Sequence, residues 1–374
     1  MSVVRRDLDL ERQREAIETW LDARPAPTFA ELAAAGLVAP HWPEPWGLGA
    51  GPQLQLTIDA LLDERGVAVP DNPFAIGWAG PTIVFGGTDE QQQRWLPGIL
   101  DGSESWCQLF SEPDAGSDLA ALRTTATRDG DAYVIEGQKI WSTWADRAQW
   151  GILLARTDTG APKHQGISYF VVDMESPGIE VRPIVEMTGG AHFNETFLHD
   201  VRIPVSHRIG EEGDGWRLAN VTLGNERVSL SEGGVLWGMG PTFEECVDEI
   251  RRRGANGHPL TRQRAAQVYT DGFVTRLLTQ QIVDAVVRGD DPFPYASIRK
   301  AKADRNAQSL LDLITDLGGA DGMLGLQNED AEHQDPWHWA YLFSRALTIG
   351  GGTAEVQRNI IGERLLGLPR EPRP

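Results

Sequence analysis

Apolar positions follow the helical period from Arg5 to about Ser105, as in Leu54, Ile58, Leu61 and Leu62, and Pro and Gly break the run into segments. The pattern predicts an α-helical domain over residues 1–105, including a helix through Gln91 to Leu100 that stops at a Gly102 turn. From about Trp106 the period changes to two. Arg123 to Arg128 alternates, Asp129-Gly130 forms a turn, Tyr133 to Ile135 continues, and a second turn is expected at Glu136-Gly137. Strand-like runs follow at Gly151 to Arg156, Ile167 to Asp173, Ile179 to Pro183 and Glu195 to Ile203, spaced as in an antiparallel barrel or sandwich, so residues 106–212 read as a β domain. After Gly213-Asp-Gly215 the helical period returns through Trp216 to Met239, Pro241 to Arg253, Leu260 to Arg288, Tyr295 to Leu317, His338 to Thr348 and Ala354 to Leu366. Short polar turns such as Gly289 to Pro294 join these segments, and residues 213–374 read as a helical bundle. The expected class is α+β, in the order helical, β, helical.

Composition narrows the functions that fit. A chain of 374 residues with 41% hydrophobic content can bury a substantial core, and its formal charge of −20 opposes binding to a nucleic-acid backbone. Any anionic ligand must then be held by local groups against the general field. No apolar run is long enough for a membrane span, and the opening Met-Ser-Val-Val-Arg-Arg-Asp lacks the apolar core of a secretory signal, so a cytoplasmic protein is expected. Cys107 and Cys246 lack the spacing of a disulfide framework or zinc site, and His192 and His199 lack metal-ligand spacing, so no metal is assigned. The glycine-bearing stretch from Pro40 to Gly51 follows a proline-rich loop instead of an apolar strand, which argues against a dinucleotide site.

Three segments carry candidate chemistry. The loop Gln108 to Asp118, with Phe110-Ser-Glu-Pro-Asp-Ala-Gly-Ser-Asp118, is a tight turn that brings hydroxyls and backbone N–H groups close to a ligand. Trp141-Ser142-Thr143 would place an indole and a hydroxyl two residues apart on one face of a strand, suited to the rim and polar edge of a flat cofactor. Gly350-Gly-Gly352 ends one helix and Thr353 is a suitable N-cap for the next, leaving free N–H groups and a positive dipole end. Each segment alone is also an ordinary turn or packing element.

Together they resemble the acyl-CoA dehydrogenase family over nearly the whole chain, including the ending Arg364-Leu-Leu-Gly-Leu-Pro-Arg370. The resemblance implies that family's fold: an N-terminal α-helical domain, a middle antiparallel β-barrel and a C-terminal four-helix-bundle domain. It implies FAD, with Gln108, Phe110, Ser111, Trp141, Ser142 and Thr143 along the flavin and Thr353 and Glu355 at its nucleotide. It puts Ser117, Arg227, Gly351 and Gly352 beside the acyl-CoA. The implied reaction is α,β-dehydrogenation to the 2-enoyl thioester, with electrons passed to an electron-transfer flavoprotein.

Two departures qualify the resemblance. Gly351 stands where many members carry the catalytic glutamate, and a glycine cannot take the α proton. Glu226, before Arg227 in Leu223-Gly-Asn-Glu-Arg-Val-Ser-Leu230, matches members that place the base on this helix, and it becomes the expected base. The segment Arg251 to Leu260 lacks the Arg-x-x-Phe-Gly pattern that binds a flavin pyrophosphate across a subunit interface; Gly318-Gly-Ala-Asp-Gly322 lies where members contact that nucleotide but matches poorly. Subunits of heteromeric acyl-CoA dehydrogenases from actinobacterial steroid side-chain catabolism are similar in both the Asn-Glu-Arg-Val helix and the Gly-Gly-Gly-Thr turn. The implied assembly is therefore a homo- or hetero-oligomer, dimer or tetramer, with an α2β2 pairing with a homologous subunit among the arrangements. Two alternatives stay open at this point: a non-catalytic subunit that completes a partner's flavin site, and a flavin oxidase or monooxygenase of the same fold.

Overall fold

The N-terminal helices begin where the sequence supplies side-chain caps. Asp9 caps α1 (Leu10–Asp22) by accepting from the Arg12 amide at 2.9 Å. Reciprocal Thr28/Glu31 and Thr88/Gln91 capping boxes start α2 (Phe29–Ala34) and α5 (Asp89–Leu100). Pro52 opens α3 (Pro52–Glu64), whose Leu54, Ile58, Leu61 and Leu62 are all buried against Ile17, Leu21 and Leu32, as the spacing predicts. A π-helical stretch, Pro73–Ala79, runs directly into α4 (Gly80–Gly86). The Pro40 to Gly51 stretch is a packed turn: a Cβ at Gly47 would lie 2.3 Å from the Ala39 carbonyl oxygen, so that glycine serves backbone approach.

The computed structural model describes residues 9–232, 240–290, 292–323 and 336–370. It divides into two compact units, residues 1–184 with 192–225 and residues 185–191 with 226–374. The first unit adds to these helices a sheet of eight strands: β1 (Trp106–Leu109), β2 (Thr125–Asp129), β3 (Ala132–Lys139), β4 (Trp150–Arg156), β5 (Ile167–Asp173), β6 (Ile179–Ile184), β7 (Phe193–Pro204) and β8 (Arg208–Ile209). Their order is β6-β7-β3-β2-β4-β5-β8, with β1 beside β4. Most pairs are antiparallel, but β1 and β2 each pair with β4 in parallel. Tyr133, Ile135, Leu153, Phe170, Val172, Leu198 and Val201 form its core.

The turn expected at Glu136-Gly137 is not a turn. The chain stays in β3 through Lys139, and the register against β7 shifts between Ile135 and Gly137 as a bulge. Gly137 is required because a Cβ there would lie 2.3 Å from the Thr124 hydroxyl, so the glycine signals close packing, not chain reversal.

Helix α6 (Gly215–Glu232) carries the chain from the first unit into the second. Within the second unit, α7 (Phe243–Arg252) starts at a Thr242/Glu245 capping box, and α8 (Pro259–Arg288) ends at Gly289 in the left-handed region. α9 (Phe293–Met323) is central, with α7, α8, α10 (Pro336–Phe343) and α11 (Ala354–Ile360) packed on it. It passes the predicted end at Leu317 and kinks at Gly319, where φ is 53° and ψ −127°. Among the described residues no helix is long and apolar enough to cross a membrane.

Candidate active site

In the first unit the loop after β1 and the segment after β3, 27 residues apart in sequence across Glu112 and Lys139, are bound together. The Ile140 amide donates to the Ser111 carbonyl at 2.9 Å. The Lys139 ammonium, fully buried, donates to the Glu112 carboxylate at 2.8 Å and to the Phe110 carbonyl at 3.1 Å. Glu112 also accepts from the Arg123 and Thr124 amides at 2.6 and 2.9 Å. Burial works to raise the Glu112 carboxyl, but the Lys139 charge and these donors hold it below the usual carboxylate range. Burial pulls Lys139 down to about 8 against the opposing pull of Glu112. A buried charge pair so fully hydrogen-bonded fixes one loop geometry, since removing either partner strands the other.

Around this clamp, Phe110 is 3% exposed and its ring meets Tyr169 edge-on at 5.8 Å. Gln108 sits beside it in β1 with its amide nitrogen buried and without a hydrogen-bond partner. Ser111 is partly buried, and Ser117 is exposed on the outer part of the loop. Trp141-Ser142-Thr143 is not a strand: β3 ends at Lys139 and Trp141 adopts φ 62°, a left-handed conformation costly for a bulky side chain. The local reason is the exchange of backbone hydrogen bonds between Ser142 and Asn194, with the Asn194 amide side chain also donating to the Ser142 carbonyl at 3.0 Å. The Trp141 indole is thereby left 56% exposed, edge-on to Phe193 at 5.8 Å, while the Ser142 hydroxyl is buried without a partner.

The second unit holds the glycine turn. Gly351 and Gly352 have φ of 65° and 91°, and Thr353 caps α11 by accepting from the Val356 amide at 3.2 Å, as its position predicts. Fully buried Gln357 donates to the Gly351 and Gly352 carbonyls at 3.1 and 3.3 Å. Buried Lys300 reaches the Leu347 carbonyl at 3.0 Å and Asp304 at 2.8 Å. Glu355 is exposed and pairs with Arg358.

Glu226 and Arg227 lie in the helical span of α6, but their side chains are outside the described residues.

The clamp residues Lys139 and Glu112, and Gln357, are absent from the sequence-derived set. A lysine at the buried end of a β-patterned run was the available signal for the first pair. Arg253 is a further addition: its guanidinium pairs with Glu249 and stands where a Cβ on Gly318 would lie 3.0 Å from it, in the neighbourhood where the Arg-x-x-Phe-Gly pattern is incomplete.

The donor set fits a flavin. A half-exposed indole offers an apolar face, and two orphaned buried polar atoms, the Gln108 amide and the Ser142 hydroxyl, are suited to the polar edge of a flat heterocycle.

Comparison with known proteins shows the family. Residues 3–103, 107–201 and 213–366 match the family profiles for the acyl-CoA dehydrogenase N-terminal, middle and C-terminal domains. The chain is 43% identical over 91% of its length to acyl-CoA dehydrogenase FadE34 of Mycobacterium tuberculosis, of which it spans 46%. It is 41% identical to acyl-CoA dehydrogenase IpdE1 of the same organism, over 91% of this chain and 87% of that one. Among solved structures, it is similar to the Tcur3481-Tcur3483 steroid ACAD, with a TM-score of 0.78, 28% identity and coverage of 99% and 100% of the two chains. It is also similar to the ChsE4-ChsE5 complex from Mycobacterium tuberculosis, with a TM-score of 0.74, 30% identity and coverage of 98% and 100%. The chain belongs to the acyl-CoA dehydrogenase family of oxidoreductases.

Proposed function

We propose that this protein is an FAD-dependent dehydrogenase that converts a bulky, sterol-derived acyl-CoA to its 2-enoyl thioester, working in a complex with a homologous subunit. The observation that carries the reading is the Lys139–Glu112 clamp, which joins the loop that follows Gln108 in β1 to the segment bearing the exposed Trp141 and the orphaned Ser142 hydroxyl. The likeness to a steroid ACAD and to the ChsE4-ChsE5 complex supports the substrate and assembly proposed here.

When bound, FAD supplies the acceptor for the hydride that leaves the β carbon. Trp141 would cover the flavin, and Gln108, Ser111, Ser142 and Thr143 would hold its polar edge, with Thr353 and Glu355 toward the nucleotide. Phe110 backs this surface through its packing on Tyr169. Arg253, beside Gly318, is the candidate partner for an anionic pyrophosphate. Ser117, Arg227, Gly351 and Gly352 would take the acyl-CoA. Glu226 removes the α proton in place of the side chain that Gly351 lacks, a role worth about 10²–10⁴-fold in rate. Electrons then pass to an electron-transfer flavoprotein.

The test is the visible spectrum of the purified chain, alone and co-expressed with a homologous neighbour, followed by anaerobic titration with linear, branched and sterol-like acyl-CoAs. Flavin bleaching by the sterol-like ester is expected. Flavin that is retained but bleached by no acyl-CoA in the panel would refute the activity. Steady peroxide release with substrate would mark an oxidase.

A further inference from the structure

Three fully buried hydroxyls meet in the first unit, from Thr82 on α4, Tyr169 on β5 and Thr222 on α6. The Thr82 hydroxyl has the Trp78 carbonyl as an acceptor at 2.9 Å. It also meets the Thr222 hydroxyl at 2.8 Å, a contact in which either oxygen can donate. Thr222 has a second acceptor in the Leu218 carbonyl at 3.3 Å. The Tyr169 hydroxyl meets Thr222 at 3.1 Å. Burial pushes the Tyr169 phenol up, so it stays protonated across the working range. The result is a buried cluster in which Tyr169, Thr222 and Thr82 are hydrogen-bonded to one another and to the Trp78 and Leu218 backbone carbonyls. It ends on backbone amides and cannot relay a proton, so its role is geometric.

An apolar contact of the same shape would pack as well but would tolerate rotation and sliding of α6, because dispersion has little direction. Hydrogen bonds fix length and angle. The other fully buried α6 side chains before Asn225, Leu218 and Ala219, are apolar; Leu218 lies where a Cβ on Gly86 would be 2.5 Å from it. Thr222 is four residues before Glu226 on the same continuous helix. The Tyr169 ring braces Phe110 as its hydroxyl engages α6, so one side chain touches both the cofactor loop and the helix.

We infer that Thr82, Tyr169 and Thr222 are positioning residues that set the rotation and register of α6, and with it the turn bearing Glu226. This rests on the reading of Glu226 as the base. The experiment compares Thr222→Val, Thr222→Ser and Glu226→Gln in the holoenzyme complex, measuring kcat and KM for the acyl-CoA, flavin content, and amide exchange over residues 215–225. Thr222→Val is expected to lower kcat by about tenfold or more, as a misplaced catalytic group does, with KM and flavin content held within about twofold. Thr222→Ser should restore kcat, and exchange over 215–225 should quicken in the valine variant only. An unchanged kcat in Thr222→Val beside an inactive Glu226→Gln would overturn the positioning role and leave the base intact. If Glu226→Gln stays active, the base assignment falls. The amide exchange then decides whether the hydroxyls register α6, with unchanged exchange overturning that too.

Discussion

Each unit uses a buried lysine to hold the backbone of a segment proposed to meet the cofactor or substrate, and the carboxyls that the two lysines pair with are shifted in opposite directions. Lys139 donates to the Phe110 carbonyl and pairs with Glu112; Lys300 donates to the Leu347 carbonyl, three residues before the glycine turn, and pairs with Asp304. Glu112 accepts two backbone amides as well as its lysine, and its carboxyl is held low. Asp304 has Lys300 one helical turn away, and burial, its largest influence, leaves its carboxyl raised despite that charge. At Glu112 the charge and hydrogen bond of Lys139 are the largest influences that hold the carboxyl low, and the backbone donors add to them. The loop that is rebuilt from two distant strands has the fully satisfied version; the helix, which holds its own shape, manages with the weaker one.

The largest expected contrast comes from deleting the lysines. Lys139→Met strands a carboxylate built to be charged and should cost about 3–5 kcal/mol in urea unfolding. Lys300→Met leaves an acid already disposed to take a proton, and about 1–3 kcal/mol is expected, the cost of unmade hydrogen bonds. Equal losses would erase the distinction between the two sites. Acidification provides a second separation. A lowered folded value, as at Glu112, gives stability that is present above the unfolded value of about 4.5 and is lost as pH falls through the folded value. A raised one, as at Asp304, gives stability that is present below about 3.8 and is lost as pH rises through the folded value. Amide exchange, corrected for intrinsic rates, should therefore quicken over residues 110–118 below about pH 4.5 while residues 300–304 hold. The smallest effect belongs to the helix start after the glycine turn, where Thr353→Ala should lower thermal stability by about 1 kcal/mol through loss of the cap to Val356.

Much of this was legible in the residues. Periodicity located the helices and most strands, because one-sided burial leaves its period in the sequence. The motif segments were legible too, and the structure ties the first two of them together. What could not be read was conformation set by distant neighbours. Gly137 resembles a turn residue but is a bulge pressed on Thr124. Trp141 looks like a strand residue, yet Asn194, 53 positions later, holds the neighbouring Ser142 and bends the backbone. Lys139 and Glu112 look like ordinary surface charges until the fold buries both.

The glycine bend also bears on how this chain could change. Gly351 sits at φ 65°, a region in which a side-chain-bearing residue pays roughly 1–2 kcal/mol. Placing an acid at that position would thus impose strain on a turn whose carbonyl Gln357 holds. On the proposed reading in which Glu226 is the base, an acid placed at this bend would therefore meet a backbone cost that the base on α6 does not.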